Sequence, residues 1–234
     1  MLETLNLSFR ELLKAAKPLN FSTIFGSFVA SYDYVNPPIS GTQLSNFLKS
    51  FKKKIETSYF SKSDFLNSVS GYFRKLNKMM RINSLILIDN LGIPEILFIS
   101  KRFEIEYYLC LINPGGDTKT WKEAIRAKTM SEVARKFGMH LFNLSDKQIH
   151  YLELKIATSP VPNVEQLGNY VYYQITSSLL RFIKNFEKPV LIASDHGYDV
   201  VMVDNYFLLC HGFGCLKYGL TPIFSKLSMI LIIS

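Results

Sequence analysis

From residue 82 onward the chain repeats one alternation, a short apolar run followed by a stretch with helical periodicity. Leu85-Ile86-Leu87-Ile88 is the first such run, and others follow at 104–112, 140–144, 190–193, 206–210 and 229–233. An unbroken apolar run too short for a core helix suits a strand covered on both faces. Between the runs, 121–129, 130–137 and 164–186 read as helices. In the last of these, Val164, Leu167, Val171, Ile175, Leu179 and Ile183 share one face. Strands alternating with helices predict an α/β domain over residues 81–234, with a mostly parallel sheet flanked by helices.

Residues 1–80 read differently, as a helical segment. Phe9, Leu12, Leu13 and Ala16 make one face, and Pro18 stops that run. Leu44, Phe47, Leu48, Phe51 and Ile55 make a second, with Lys49, Lys52, Lys53 and Lys54 on its wet side. A third helix starts at Ser63 or Asp64 and carries Phe65, Val69, Phe73 and Leu76. The net charge of +8 sits mostly here, where 11 Lys and Arg face 5 Asp and Glu. A lysine cluster of this kind can track a phosphate backbone, which makes nucleic acid a candidate partner; a solvated helix face explains it as well.

Composition closes off several classes. Hydrophobic residues make up 48% of the 234, enough for a core, so a disordered chain is excluded. The longest apolar stretches are too short to span a bilayer and the first residues lack the form of a signal peptide. No membrane association is therefore expected. The three cysteines, Cys110, Cys210 and Cys215, cannot close a disulfide framework and contain no C-x-x-C pair. A reducing, cytoplasmic location without a cysteine-rich zinc site follows as the expectation.

The strand ends carry the chemistry. In open α/β sheets, ligands gather at the carboxyl edge. Asp89 follows the first run, Asp146 the run at 140–144, Asp195 and His196 that at 190–193, and His211 that at 206–210. His150 lies four residues beyond Asp146, on the same face of a helical turn. Three carboxylates and three imidazoles converging on one edge suit zinc, manganese or a related divalent ion. Six ligands exceed one tetrahedral ion and suffice for two. Singly, each Asp reads as a turn or cap and each His as a hydrogen-bonded structural residue. His140 starts a strand at the opposite edge and is read as structural.

Ser194-Asp195-His196-Gly197 resembles the Ser/Thr-Asp-His-Gly motif of the alkaline phosphatase superfamily. In order along the chain, Leu85-Ile86-Leu87-Ile88-Asp89 looks like that family's first metal motif. Asp146-Lys147-Gln148-Ile149-His150 is similar to its Asp-x-x-x-His motif, and His211-Gly212 to its closing His-Gly segment. The short span most resembles the PglZ domain branch, found in phage-defence systems; the likeness covers residues 82–234. The resemblance implies an alkaline-phosphatase-like core and a two-metal site. Asp146, His150 and His211 would hold one ion, and Asp89, Asp195 and His196 the other, with zinc foremost and manganese or magnesium as alternatives. It also implies a Ser or Thr nucleophile at a helix N-terminus, where metal and helix dipole favour a phosphate. The matching segment is 113–121, in which Thr118 and Thr120 compete for that role. Thr120 and Glu123 also read as a capping box, so one threonine, or both, could serve the helix alone. Lys119 could touch a phosphate oxygen or simply be exposed.

Two functions follow as expectations. The first is a divalent-metal-dependent phosphoesterase, a phosphatase or a phosphodiesterase acting through a threonine. Its phosphorylated substrate would extend to nucleotides or nucleic acid, and the short span between Thr120 and Asp146 leaves the site open to bulky substrates. The second is a catalytically degenerate binding or scaffold protein within a defence or mobile-element assembly.

Overall fold

A computed structural model describes residues 2–58, 60–79, 82–156 and 163–234. Four helices lead: α1 (Leu2–Ala16), α2 (Phe21–Ala30), α3 (Thr42–Thr57) and α4 (Lys62–Met79). Strand β1 (Ser84–Ile88), helix α5 (Ile93–Ile99) and strand β2 (Ile105–Ile112) follow. Next come α6 (Thr118–Ile125), α7 (Met130–Phe137), β3 (His140–Phe142) and α8 (Leu144–Ile156). Then α9 (Val164–Val171), a π-helical turn (Tyr172–Thr176) and α10 (Ser177–Lys184) run on without a break. The chain ends with β4 (Val190–Ser194), β5 (Asp199–Val203), β6 (Tyr206–Cys210), α11 (Phe213–Leu216) and β7 (Leu227–Ile233).

Five strands form one sheet in the order β2-β7-β4-β1-β3. The pairs β1/β3 and β1/β4 are parallel, whereas β7 runs antiparallel to both its neighbours, β2 and β4. The sheet is therefore mixed. The apolar run at 229–233 predicts a strand and does not encode its direction, because a strand buried on both faces reads alike either way. A second departure concerns the run at 206–210, which leaves the main sheet and pairs with β5 in a separate two-stranded ribbon. Asp204 and Asn205 join these two strands, both at positive φ (48° and 67°). That conformation gives a two-residue hairpin turn the twist its strands need, and Asp and Asn tolerate it.

Alternate residues of the sheet feed two cores. Ile86, Ile88, Ile192, Leu231 and Ile233 face the same cluster as Phe9, Leu12, Phe25, Phe28 and Leu48 of α1 to α3. Leu87, Leu109, Leu191, Ala193, Ile230 and Ile232 face Phe65 and Val69 of α4 and Trp121 of α6. The helices of residues 1–80 thus cover both faces of the sheet and share its cores, so 80/81 does not separate two cores. All seven residues of β7 are buried, each large side chain stabilising the fold by about 1.5–3 kcal/mol. Among the described residues, no helix is long and apolar enough to cross a membrane.

Candidate metal centre

Strand register brings the acids together. Ile88 pairs with Phe142 on one side and with Ser194 on the other, so β1, β3 and β4 end level. Asp89 and Asp195 come next in their chains, and Asp146 lies in the first turn of α8, just beyond β3. The Asp89 N–H extends the β3 ladder to Phe142 O at 2.9 Å, and the Ser145 hydroxyl donates to Asp89 O at 2.7 Å. His211 arrives from the β5/β6 ribbon instead of the sheet, yet its Nε2 stands 3.6 Å from Asp146 Oδ1. His150 Nε2 lies 3.4 Å from the same oxygen.

Among the described residues, two groups have ligand atoms within 4.8 Å of one another: Asp146, His150 and His211, and Asp89, Asp146 and His196. Asp146 belongs to both. The ring of His211 lies 4.6 Å from that of His196 and 5.1 Å from that of His150, which joins the two groups into one centre. Asp195, predicted as a ligand, lies outside both groups, with Oδ2 at 3.4 Å from His196 Nε2. Its Oδ1 accepts the backbone N–H of Asn90 (3.0 Å) and of His196 (2.9 Å). Its Oδ2 is buried without a hydrogen bond. A buried carboxylate oxygen in that state is costly unless a cation completes it. His196 Nδ1 faces Gly197 O at 2.9 Å, which turns Nε2 toward Asp89 and leaves its lone pair for a ligand.

Burial dominates the electrostatics. It raises Asp89 well above the ordinary carboxylate value, and the nearby Asp195 and Asp146 add to the rise. Burial also raises Asp195, to about 7, against the lowering effect of the N–H groups that bond it. His211 moves the other way, to about 2, through burial first and then through His196 and His150. An imidazole held neutral beside acids that resist ionisation is a donor set suited to a cation.

The two threonines separate clearly. Thr118, the first residue of α6, places its Oγ1 3.3 Å from Asp89 Oδ1 and 3.2 Å from His196 Nε2. Thr120 turns away: its N–H and its hydroxyl both donate to Asp117 Oδ1, at 3.0 and 3.1 Å. The N-cap is therefore Asp117, and the capping box expected from Thr120 and Glu123 is absent. Asp117 supplies the acceptor for the third helical N–H and uses Thr120 as its partner. Lys119 is exposed next to Thr118.

Asn113, the first residue of this loop, ties it to the centre. Its buried amide donates to Asp117 O at 2.7 Å and to Asp195 O at 3.0 Å. A signal existed, since Asn113 follows β2 just as the candidate ligands follow their strands. Gly197 is required by close approach: a Cβ there would lie 2.9 Å from Phe224 O and 3.1 Å from Leu91 O.

Two further expectations change. Cys210 and Cys215 are joined by a disulfide, because α11 returns residue 215 to the end of β6 with a Cα–Cα distance of 5.1 Å. Counting cysteines misses a bridge closed by one local turn; Cys110 alone is free, and buried. The lysine cluster of α3 is largely engaged within the chain. Lys49 pairs with Asp33 at 2.5 Å, Lys52 donates to Ser31 O at 3.0 Å, and Lys54 donates to Ser8 Oγ.

Comparison with protein-family models, curated proteins and solved structures finds no match to this chain.

Proposed function

We propose that the protein is a divalent-metal-dependent phosphoesterase in which Thr118 attacks the phosphorus. One observation carries this reading: the Thr118 hydroxyl, at a helix N-terminus, lies within hydrogen-bonding distance of both Asp89 and His196. Asp89, Asp146 and His196 would hold one ion, with Asp195 beside them, and Asp146, His150 and His211 the other, zinc being the best match to this mixed oxygen and imidazole set. Bound ions would lower the pKa of the threonine hydroxyl and offset charge on the phosphate. Thr118 Oγ1 forms a bond to phosphorus as the ester P–O bond breaks, and the hydroxyl proton passes to the Asp89 carboxylate. The departing alcohol takes up a proton, and a water molecule then releases phosphate and restores Thr118. The N–H groups at the start of α6 and Lys119 face the phosphoryl oxygens in this scheme. The likeness to the alkaline phosphatase superfamily, and to its PglZ branch, supports the same reading through the motifs at 85–89, 146–150, 194–197 and 211–212.

The test compares hydrolysis of bis(p-nitrophenyl) phosphate with zinc or manganese by the parent chain, Thr118→Ala and Thr120→Ala. Thr118→Ala should lose roughly 10³-fold or more in kcat with metal retained. Thr120→Ala should remain active and lose about 1 kcal/mol of stability with its part-buried hydrogen bond. Equal rates for the parent and Thr118→Ala would reject the nucleophile, and no turnover with any divalent ion would favour the binding or scaffold role.

A further inference from the structure

We propose that Phe213, with Leu216 beside it, is a platform at the edge of the metal centre that stacks the nucleobase of a phosphorylated substrate. This deepens the phosphoesterase reading and rests on it for the substrate's phosphate. Single exposed apolar side chains are ordinary, whereas clusters of them mark binding surfaces. Large exposed apolar side chains are few among the described residues, and three fall within six positions of one turn: Phe213 (72% exposed), Leu216 (50%) and Tyr218 (36%). That turn starts directly after the ligand His211.

The platform is held rigidly. The Cys210–Cys215 disulfide brackets residues 211–214. Cys215 itself is fully buried with Val201 and Leu208 beneath the turn. The Gly214 N–H donates to His211 O at 2.9 Å, and the Cys215 N–H to Gly212 O at 3.2 Å. The same turn abuts the loop that carries the nucleophile. Gly212, at φ +48°, packs so closely that a Cβ there would lie 2.9 Å from Gly116 O and 3.1 Å from Gly115 O. Phe213 is the next residue, within about 4 Å of Gly212 from Cα to Cα.

Charge selects the class of ligand. Lys217 is exposed in the same turn, and Lys119 is exposed beside Thr118. An exposed aromatic side chain in a lysine-bearing turn, next in the chain to a metal centre, suits a flat group that carries a phosphate, which a nucleotide supplies. Stacking on an aromatic side chain is tolerant of base identity, so purine and pyrimidine nucleotides should both bind.

Calorimetry on the zinc-loaded full chain carrying Thr118→Ala, which binds these esters without turnover, tests this with adenosine 5′-monophosphate, ribose 5-phosphate and phenyl phosphate. The adenine nucleotide should bind about tenfold more tightly than ribose 5-phosphate, which lacks only the base. Phe213→Ala should abolish that preference with ribose 5-phosphate binding unchanged, and Phe213→Trp should restore it. Ile39→Ala, an exposed apolar residue elsewhere, should alter neither. Equal affinities, a preference that survives Phe213→Ala, or tightest binding of phenyl phosphate would overturn the proposal. So would equal affinities together with self-association that Phe213→Ala abolishes, since the face would then serve a protein contact. A base preference lost in Phe213→Ala without turnover of any phosphate ester would leave the platform and remove the phosphoesterase reading. Turnover without a base preference would do the reverse.

Discussion

Thr118 and Thr120 lie two residues apart, and only one of them touches the centre. Both fit the sequence pattern, because Thr is at once a capping residue and a nucleophile. What separates them is the direction imposed by the Asp117 cap, which uses Thr120 and leaves Thr118 facing Asp89 and His196. The acids and histidines of the centre were legible one by one as strand-end residues, whereas their protonation depends on burial that no local pattern reveals. Asp195 and Asp89 are raised in the fold, so without metal the folded chain holds protons that the unfolded chain releases near pH 4. Stability from these two groups is full below about pH 4 and falls as pH rises through about 7. His211, lowered to about 2, acts oppositely. Its contribution is present above about pH 6.5 and is lost as pH falls below that value. Denaturant melts of metal-free protein should therefore lose stability between pH 6.5 and 8, and saturating zinc should reverse that loss. A metal-free chain that gains stability over the same interval would contradict the assigned burial of the two acids.

Short elements position the centre more than long ones do. The β5/β6 ribbon is half legible: the run at 206–210 stands out, whereas Asp199–Val203 opens on a charged residue and the Asp204-Asn205 turn that pairs them carries no glycine. Asp199, the first residue of β5, is fully buried and organises the segment beyond the ribbon. Its Oδ1 accepts the Tyr32 hydroxyl (2.6 Å) and the Phe224 N–H (2.9 Å), and its Oδ2 accepts the N–H groups of Ile223 and Ser225, both at 3.0 Å. Ser225 O in turn accepts the Gly197 N–H at 3.2 Å, directly after His196 of the candidate centre. Removing the carboxylate leaves three backbone donors and a tyrosine hydroxyl unsatisfied in the interior. Asp199→Ala should lower stability by about 3 kcal/mol or more, read from denaturant midpoints. A loss under about 1 kcal/mol would show that the 223–225 segment is held by other contacts. The π-helical turn at Tyr172–Thr176 also escaped the sequence reading, since its apolar spacing continues the helical face without a break.

At the scale of the whole molecule, the α/β alternation was legible because each strand is buried on both faces and announces itself as an apolar run. The direction of β7 was not, and neither was the role of residues 1–80, whose surplus charge drew attention to their wet faces. Their dry faces matter more. Phe9, Phe25, Phe28, Leu48, Phe65 and Val69 are fully buried in clusters shared with the sheet. A chain of residues 81–234 alone would expose part of each face of the sheet. It should aggregate or bind a hydrophobic dye such as ANS, and a soluble, cooperatively melting fragment would contradict the shared core. The central claim concerns the centre that these layers support, where Asp89, Asp146, His150, His196 and His211 converge with Thr118. Elemental analysis of the purified full chain, after zinc loading and exhaustive dialysis, tests it most directly. Two ions per chain are predicted, falling to one or none in Asp146→Ala, whose carboxylate belongs to both ligand groups. A parent chain that retains no divalent ion would contradict the account.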